Sequence, residues 1–398
     1  MRNFRYYLPA NDIIFGSGSL SSVGVEAKRF GKKALLVTGK SSMKRLGFLE
    51  KCVDFLKKEG LEVEHYGEVI SNPTVDIVNR GARIAIEKNC DVIIGFGGGS
   101  AIDTAKNIAV VAGHFEGKDI SIWEFSGAVE NPRPITSKTL PVIAITSTSG
   151  TGSHVSRFAV VTNEKTREKM GILSPFICPK VSIVDIDIIS CMPPSLTSKT
   201  GFDVMAHLTE CLVSRRSNPI TDFYCLKGVE LVFEYLPRAY RNGEDLEARE
   251  NMAIADTLAG WALVTSRPCL PHAMSHPVSA FYPEVDHGEA LAALTCECVR
   301  FNIERGDEET VRKYCEIARI GGKNINSFTK EEALKSIDVI KELLEKIDLN
   351  VRLRDFGVKE EDFEGMVRSA FSTMRGPIEA NPVDVSDRDI IELYKKSM

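Results

Sequence analysis

The chain has 398 residues, enough for two domains and a large buried core, and 43% of its residues are hydrophobic. Its formal net charge of −5 argues against a nucleic-acid partner held mainly by charge, because such a partner requires a basic face. No window approaches about 20 unbroken apolar residues and the N-terminus lacks the apolar stretch of a signal peptide, so we expect a cytoplasmic protein without a membrane span.

The first half of the chain alternates short apolar runs with segments of helical spacing. The apolar runs predict buried strands at 34–38, 63–66, 91–96, 141–146 and 181–184. Apolar residues at helical spacing predict helices at 46–56, 75–88 and 101–112. Alternation of this kind predicts a parallel sheet with helices on both faces, an α/β Rossmann-like dinucleotide-binding domain over residues 1–190.

The end of the first predicted strand, TGKSS at 38–42, bears on the choice of dinucleotide. It lacks the carboxylate that in many dinucleotide-binding folds holds the ribose 2′-hydroxyl. Gly39, Lys40 and Ser41 instead suit a 2′-phosphate, for which ammonium and hydroxyl groups are good donors. We therefore expect NADP(H) in preference to NAD(H).

Two glycine-rich loops follow strands of this domain. GGGS at 97–100 leads into a helix, where bare backbone and free N–H groups can approach a phosphate; a merely tight turn is the alternative. Asp103, one turn later, either complements the helix dipole or hydrogen-bonds a cofactor amide. The second loop, STSGTGS at 147–153, can line a cofactor with hydroxyl groups, or it is an ordinary exposed connection.

The second half of the chain has a different character. From about residue 195 onward no segment predicts a strand convincingly, and amphipathic helices dominate. The clearest helix is 330–346, where Thr329 and Glu332 predict a capping box. We therefore predict an all-helical domain over residues 191–398.

This second domain contains a cluster of potential metal ligands. Asp203 and His207 are four residues apart, on one face of a helix, and can share one metal ion. His272, His276 and His287 follow within sixteen residues, and spacing alone does not choose between the first two. Each residue alone has a structural explanation, such as a helix N-cap or a satisfied core histidine, but together they predict a metal site.

The types of the predicted ligands limit which metal ions can bind at this site. Three imidazoles with one carboxylate suit Fe²⁺ or Zn²⁺, with Mn²⁺, Co²⁺ and Ni²⁺ as alternatives. The cluster contains no cysteine thiolate, which argues against a structural zinc site.

Pro277 would free the carbonyl of Ala273 in a helix, so we expect the element that carries His272 to kink or end there.

The combination of these motifs resembles the iron-containing (group III) alcohol dehydrogenase family over nearly the whole chain. The matching segments are GGGSAIDTAK at 97–106, TSTSGTGSHVS at 146–156, GFDVMAHLTE at 201–210 and HAMSHPVSAFYPEVDHG at 272–288. PANDIIFGSGSL near the start is similar to the family's opening β-hairpin, and NPVDVSDRDI near the end also matches. The resemblance implies a dehydroquinate synthase-like fold with a Rossmann-like domain and an all-α metal-binding domain.

The resemblance also assigns roles within the cluster. It implies that Asp203, His207, His272 and His287 bind the metal, and that His276 lies beside nicotinamide and substrate as a catalytic residue that relays a proton. It places a further set of residues around the dinucleotide: Asn72, Gly98, Gly99, Ser100, Ser147, Thr148, Thr151 and Lys169.

The reaction implied by the resemblance is hydride transfer between NAD(P)(H) and a small alcohol, aldehyde or ketone, with the metal polarising the substrate oxygen. A homodimer or a higher homo-oligomer is expected. The alternatives are a lyase of the dehydroquinate synthase type, a metal hydrolase without nucleotide, and a catalytically idle binding protein.

At two positions the chain departs from the family pattern, which limits how much of the family's residue roles and substrate can be carried over to it. Many relatives have a glutamate at the position of His154, so its role here is altered. The span from His272 to His287 is one residue longer than in several relatives, and we expect the extra residue, within PEVD at 283–286, to loop out before the last ligand. This insertion leaves the identity of the substrate open.

Overall fold

The computed structural model of the chain describes residue 4, residues 6–9 and residues 11–398. These residues fall into two compact units. The α/β unit comprises residues 9, 11–148 and 153–192, and the helical unit comprises 193–398 together with 149–152 and the described residues up to Leu8.

The strands of the described chain all lie in the α/β unit. Their bounds are β1 (Asp12–Phe15), β2 (Lys33–Gly39), β3 (Glu62–Val69), β4 (Val92–Gly97), β5 (Val142–Thr146), β6 (Phe158–Asn163), β7 (Glu168–Leu173) and β8 (Val181–Val184). Six of them form one parallel sheet in the order β1-β8-β5-β4-β2-β3, and β6 and β7 form an antiparallel pair. All five strands predicted from apolar runs are present, with β3 longer than expected.

The helices of the α/β unit connect these strands. They are α1 (Val23–Lys28), α2 (Ser42–Arg45), α3 (Phe48–Lys58), α4 (Val75–Glu87), α5 (Gly99–Gly113) and α6 (Ile186–Ile189). Short 3₁₀ helices lie at Ser19–Ser22, Ile122–Phe125 and Pro175–Ile177.

The sheet is apolar because it is covered on both faces. Leu35 and Ile93 belong to a core that includes side chains of α4 and α5, whereas Leu36 and Ile94 belong to one that includes side chains of α1 and α3. Successive residues of a strand point to opposite faces, so a strand buried on both sides must be apolar throughout. This confirms the predicted α/β class.

The helical unit contains the remaining helices. They are α7 (Pro194–Val213), α8 (Pro219–Arg241), α9 (Leu246–Thr265), α10 (Leu270–Phe281), α11 (His287–Arg305), α12 (Glu308–Ile320), α13 (Lys330–Lys346), α14 (Phe363–Thr373), α15 (Arg375–Ala380) and α16 (Asp387–Lys396), with 3₁₀ helices at Leu353–Phe356 and Glu360–Asp362. No helix in the described part of the chain combines the length and apolar character needed to cross a membrane.

The start of the chain differs from the expected β-hairpin. In the described part of PANDIIFGSGSL, which omits Ala10, β1 is a single strand that pairs in parallel with β8. Asp185 accepts hydrogen bonds from the backbone N–H groups of Gly18 (3.2 Å) and Leu20 (2.8 Å), and these bonds hold the turn after β1. A hairpin is instead formed by β6 and β7, which the sequence pattern did not reveal.

Two local predictions in the helical unit differ in part from the structure. Helix α10 does not end at Pro277 but continues to Phe281, and Ala273 and Val278 on either side pack into one core. At α13 the Thr329 hydroxyl accepts the Glu332 N–H (3.3 Å), but the Glu332 carboxylate bonds Lys335 (2.8 Å) instead of closing a capping box.

Candidate metal centre and dinucleotide loops

Helix α7 carries the first two predicted ligands. Pro194 occupies its first turn, where a missing N–H is harmless, and the helix then runs without interruption to Val213. Asp203 and His207 lie one turn apart, with Asp203 Oδ1 3.5 Å from His207 Nδ1 and both side chains buried. The predicted placement on one helix face is therefore correct.

Helices α10 and α11 bring two further histidines to the same carboxylate. His272 Nε2 is 3.3 Å and His287 Nε2 is 3.8 Å from Asp203 Oδ1. The rings of His207 and His272 are stacked with centroids 4.3 Å apart, and the His287 ring meets the His272 ring edge-on at 5.2 Å. Asp203 is thus the centre of the cluster.

The donor atoms of this cluster fit a divalent cation. Asp203 Oδ1, His207 Nδ1 and His272 Nε2 are buried and have no hydrogen-bond partner among the described residues, although one ligand atom from each residue lies within 4.8 Å of the others. Leaving such a group unsatisfied costs about 1–3 kcal/mol. Ligand atoms each about 2.1 Å from a tetrahedral ion lie about 3.4 Å apart, which matches the spacing around Asp203.

Glu210 determines which nitrogen of His272 faces the cluster. Its Oε1 lies 2.7 Å from His272 Nδ1, and its Oε2 accepts the backbone N–H groups of Cys269 (2.7 Å) and His272 (3.3 Å). With Nδ1 donating to Glu210, the lone pair of a neutral ring is on Nε2, toward Asp203. Glu210 was missed as a site residue, although it ends the GFDVMAHLTE segment.

The two histidines nearest Asp203 have opposite titration behaviour in the absence of metal. Burial lowers the pKa of His207 to about 4, although Asp203 opposes the shift, so that ring is neutral. Burial also disfavours the charged form of His272, but Glu210 and Asp203 outweigh it and raise its pKa to about 9. A proton and a cation therefore compete for His272 Nε2, and metal binding releases the proton.

His276 occupies a different place from His272. It lies one turn further along α10, is buried, and its ring centroid is 5.3 Å from that of His287. The group of three convergent donors among the described residues does not include it. That group does not include His287 either, so the division of roles between His276 and His287 stays a prediction.

The middle of the second glycine-rich loop, residues 149–152 with Thr151, belongs to the helical unit. Asp256 on α9 accepts the Gly152 N–H at 2.7 Å. Gly152 has φ +60°, and a Cβ there would lie 2.4 Å from the Cα of Gly260. Burial raises the pKa of Asp256 to about 7, although bonds from Gly152 and Gly150 oppose this. Asp256 was not anticipated from the sequence.

In the α/β unit, the two loops meet at the carboxyl edge of the sheet. Gly98 is the N-cap of α5, and a Cβ on it would lie 3.3 Å from Thr148 Cγ2. The Ser147 N–H donates to the Gly97 carbonyl at 2.9 Å. The structure therefore brings together Gly98, Ser147 and Thr148, with Gly99 and Ser100 in the first turn of α5, where backbone N–H groups are available to an anion.

Asp103 and Lys106 on α5 support the second loop. Asp103 accepts the Ser153 hydroxyl (2.5 Å) and the Val160 N–H (2.9 Å), and Lys106 Nζ donates to the carbonyls of Ser153 (2.6 Å) and Phe158 (2.7 Å). Burial lowers the pKa of Lys106 to about 8, although Asp103 opposes the shift. Asp103 thus has a structural partner on each oxygen, and its predicted bond to a cofactor amide stays a prediction.

The β6–β7 hairpin brings two distant predicted residues together. Lys169 on β7 donates to Asn72 Oδ1 at 2.8 Å, and Asn72 has a positive φ of 54°. The Thr162 N–H on β6 bonds the Pro73 carbonyl at 2.9 Å, which anchors the hairpin to this turn. Asn72 and Lys169, 97 residues apart, therefore form one polar group.

The end of β2 exposes the residues predicted to choose the dinucleotide. Lys40 and Ser41 are exposed and Gly39 is partly buried. Thr38 Oγ1 lies 2.9 Å from His65 Nε2, and burial together with the nearby Lys44 lowers the pKa of His65. Lys40 is thus an exposed cation at this strand end, and the dinucleotide preference stays a prediction.

The structure describes the surroundings of both departures from the family pattern. His154 is fully buried, and burial together with Lys106 lowers its pKa to about 3, so it is a neutral ring. The PEVD segment forms a turn in which the Val285 N–H bonds the Tyr282 carbonyl at 3.0 Å and Val285 is buried, so α11 begins at His287.

Comparison with known proteins gives concordant matches. The family model described as iron-containing alcohol dehydrogenase matches residues 10–186, and that of the C-terminal part of the Fe-containing alcohol dehydrogenase family matches residues 197–398. Alcohol dehydrogenase 4 of Schizosaccharomyces pombe is 35% identical, over 99% of this chain and 89% of that protein. The 1,3-propanediol dehydrogenase of Klebsiella pneumoniae is 34% identical, over 100% and 99%. The crystal structure of an archaeal halo-thermophilic Red Sea brine pool alcohol dehydrogenase is 49% identical with a TM-score of 0.98, and the match covers all of both chains.

Proposed function

This chain belongs to the iron-containing alcohol dehydrogenase family, and we propose that it transfers a hydride between NAD(P)(H) and a small alcohol or aldehyde. The observation that carries the proposal is the convergence of buried, unsatisfied donor atoms of Asp203, His207 and His272. Curated relatives are named for methanol, 1,3-propanediol, choline, butanol and lactaldehyde, which supports a small substrate.

We propose that Asp203, His207, His272 and His287 hold a divalent metal, Fe²⁺ or Zn²⁺. When bound, the cation supplies Lewis acidity at the substrate oxygen, and the nicotinamide accepts or returns the hydride. The chain's own contribution is to bring one carboxylate and three imidazole rings together, with Asp203, His207 and His272 buried. Glu210 keeps the Nε2 lone pair of His272 directed at Asp203.

His276 is the proposed proton carrier. In alcohol oxidation the hydroxyl proton leaves the substrate, and a ring nitrogen of His276 accepts it; in aldehyde reduction the same nitrogen returns it. Imidazole suits this step because its ordinary pKa lies near neutrality. Its position beside His287, one turn along α10 from His272, supports this assignment.

The proposed dinucleotide is NADP(H) in preference to NAD(H). Gly39, Lys40 and Ser41 at the end of β2 offer a cation and a hydroxyl but no carboxylate. The relatives include an NAD-dependent methanol dehydrogenase and an NADPH-dependent butanol dehydrogenase, so the preference has to be read from this chain's own residues. Dissociation constants for NADPH and NADH, measured by fluorescence, test it: tighter NADH binding contradicts the proposal.

A cytoplasmic location and a homodimer or higher homo-oligomer complete the proposal. Support for assembly comes from exposed aromatic side chains in the helical unit, with Tyr7 48% and Phe223 70% exposed. The Tyr6 hydroxyl donates to that of Tyr224 at 3.2 Å, which ties the start of the chain to α8 near Phe223. Light scattering on the purified protein measures the assembly state.

The proposed function is tested by anaerobic purification, metal analysis and a panel of small alcohols and aldehydes with both dinucleotides. His272→Ala should lose the metal and turnover together, because its nitrogen faces Asp203. His276→Ala should keep the metal and lose rate by about 10²–10⁴-fold, the usual contribution of a general acid or base. His114→Ala is the matched control, since His114 bonds Val110 and Thr136 in the α/β unit. Full turnover by metal-free protein would exclude the metal assignment.

A further inference from the structure

Lys199 joins helix α7 to the segment that carries the last proposed ligand. It precedes Asp203 by four residues and His207 by eight, so the three side chains share one face of α7. Its Nζ lies 2.6 Å from Asp286 Oδ2 and 2.7 Å from Glu289 Oε1. These two carboxylates belong to the residues one before and two after His287.

The backbone of Lys199 contacts the same segment. A Cβ on Gly288 would lie 2.2 Å from the Lys199 carbonyl oxygen, so only a glycine permits this approach without displacement. The side chain of Lys199 therefore holds residues 286 and 289, while its backbone packs against residue 288. His287 lies between these contacts, and its placement relative to α7 depends on them.

The carboxylates that Lys199 binds also begin helix α11. Asp286 is the N-cap, and Glu289 Oε2 accepts the Asp286 N–H at 3.0 Å to complete a capping box. Partial burial opposes the charged form of Lys199, but Asp286 and Glu289 raise its pKa above the ordinary value. The ammonium group thus offsets part of the negative charge of two acids that lie at the start of this helix.

His287 is the proposed ligand that most needs such support. Its side chain is 23% exposed, against 8% or less for Asp203, His207 and His272. The other three lie inside helices α7 and α10, whereas His287 is the first residue of α11 and follows a turn. A ligand at a helix start has fewer fixed neighbours, so its position is set by contacts from outside its own helix.

We propose that Lys199 is a positioning residue that holds His287 against α7, through Asp286 and Glu289, and thereby slows release of the bound metal. This inference rests on the proposed function, because it takes His287 as a metal ligand. The opposing possibility is that the cluster is an ordinary half-exposed ion pair, of the kind that contributes little on its own.

The chain offers a matched control for that possibility. Lys33 in the α/β unit also contacts two acids, with Nζ 2.9 Å from Glu62 and 3.8 Å from Glu64. Its side chain is 23% exposed and that of Lys199 is 24% exposed. Replacing each lysine by methionine therefore removes a similar charge from a similar environment, near the proposed metal centre in one case only.

The experiment uses the full-length protein loaded with Zn²⁺ and follows release of Zn²⁺ to an excess of a chromogenic chelator. Lys199→Met should speed release roughly 10-fold, the lower end of the effect of residues that orient metal ligands. Lys33→Met should release Zn²⁺ at the wild-type rate. Lys199→Arg, which keeps a cation able to bind both carboxylates, should restore most of the slow release.

A second variant keeps the test decisive if Lys199→Met folds poorly. Gly288→Ala keeps all three charged side chains but pushes residue 288 away from the Lys199 carbonyl, and it should also speed Zn²⁺ release. Release from folded Lys199→Met and from Gly288→Ala at the wild-type rate overturns the inference. A wild-type protein that binds neither Zn²⁺ nor Fe²⁺, or that keeps the bound metal after His207→Ala, would instead mean that the proposed function has failed.

Discussion

At the scale of single residues, the metal centre depends on which atoms face each other. His272 and His276 are identical in type and one turn apart on α10, yet only His272 has Nε2 within 3.3 Å of Asp203. The two residues have different neighbours because they lie one turn apart, and Glu210 takes the other ring nitrogen of His272 at 2.7 Å. A partner outside the proposed ligand set thus decides which ring nitrogen of His272 faces Asp203.

Glu210 provides a prediction at this scale. Glu210→Ala should weaken Zn²⁺ binding about 10–100-fold, because the ring of His272 loses the acceptor that orients it. Glu210→Gln keeps an acceptor oxygen for Nδ1 and should weaken binding less. Competitive titration against a chelator measures both constants. Equal affinity in wild type and Glu210→Ala would show that packing of α10 alone orients His272.

At the scale of elements, segments far apart in the chain are joined by particular close contacts. Residues 149–152 join the helical unit because Gly152 approaches Gly260 on α9 and donates to Asp256 at 2.7 Å. In the α/β unit, Lys106 joins α5 to a distant segment in a similar way, since its buried Nζ donates hydrogen bonds to the carbonyls of Ser153 and Phe158. Each contact uses a small or buried polar residue that composition does not single out.

Gly152 provides the prediction for the elements. Gly152→Ala should destabilise the protein by about 1–3 kcal/mol or more, because a non-glycine residue at φ +60° is strained and its Cβ would meet the backbone of α9. Gly171→Ala is the control, since nothing lies within 4 Å of a Cβ there. Thermal unfolding followed by circular dichroism compares the two. A Tm for Gly152→Ala equal to that of Gly171→Ala would contradict the close approach.

At the scale of the whole molecule, the residues proposed to bind the metal and those proposed to bind the dinucleotide belong to different units. The proposed metal ligands all lie in the helical unit, and the proposed dinucleotide residues other than Thr151 lie in the α/β unit. Because each unit has its own core, each is expected to respond most strongly to the ligand that it binds.

Metal removal tests this separation. At a free metal concentration 100 times the dissociation constant, binding stabilises the folded state by about 2.7 kcal/mol, which raises Tm by roughly 5–10 °C for a domain of this size. Calorimetry should show this shift in the transition of the helical unit when Zn²⁺ is added, and none in His207→Ala. An unchanged Tm in the wild type with metal bound would mean that the site also forms in the unfolded chain.

The sequence by itself determined the α/β class, the five strands with apolar runs, the helical second half and the family. These features follow from local periodicity and from short contiguous motifs such as GGGSAIDTAK and GFDVMAHLTE, so neighbouring residues are enough to recognise them. The i, i+4 spacing of Asp203 and His207 was also sufficient, because both lie on one uninterrupted helix.

Only the tertiary structure decided the rest. The parallel pairing of β1, the β6–β7 hairpin and the passage of α10 through Pro277 depend on partners distant in the chain. The same is true of Glu210 beside His272, where the contact spans 62 residues, and of Lys199 beside Asp286, where it spans 87. Side-chain geometry across such distances is set by packing of whole helices, which no local pattern encodes.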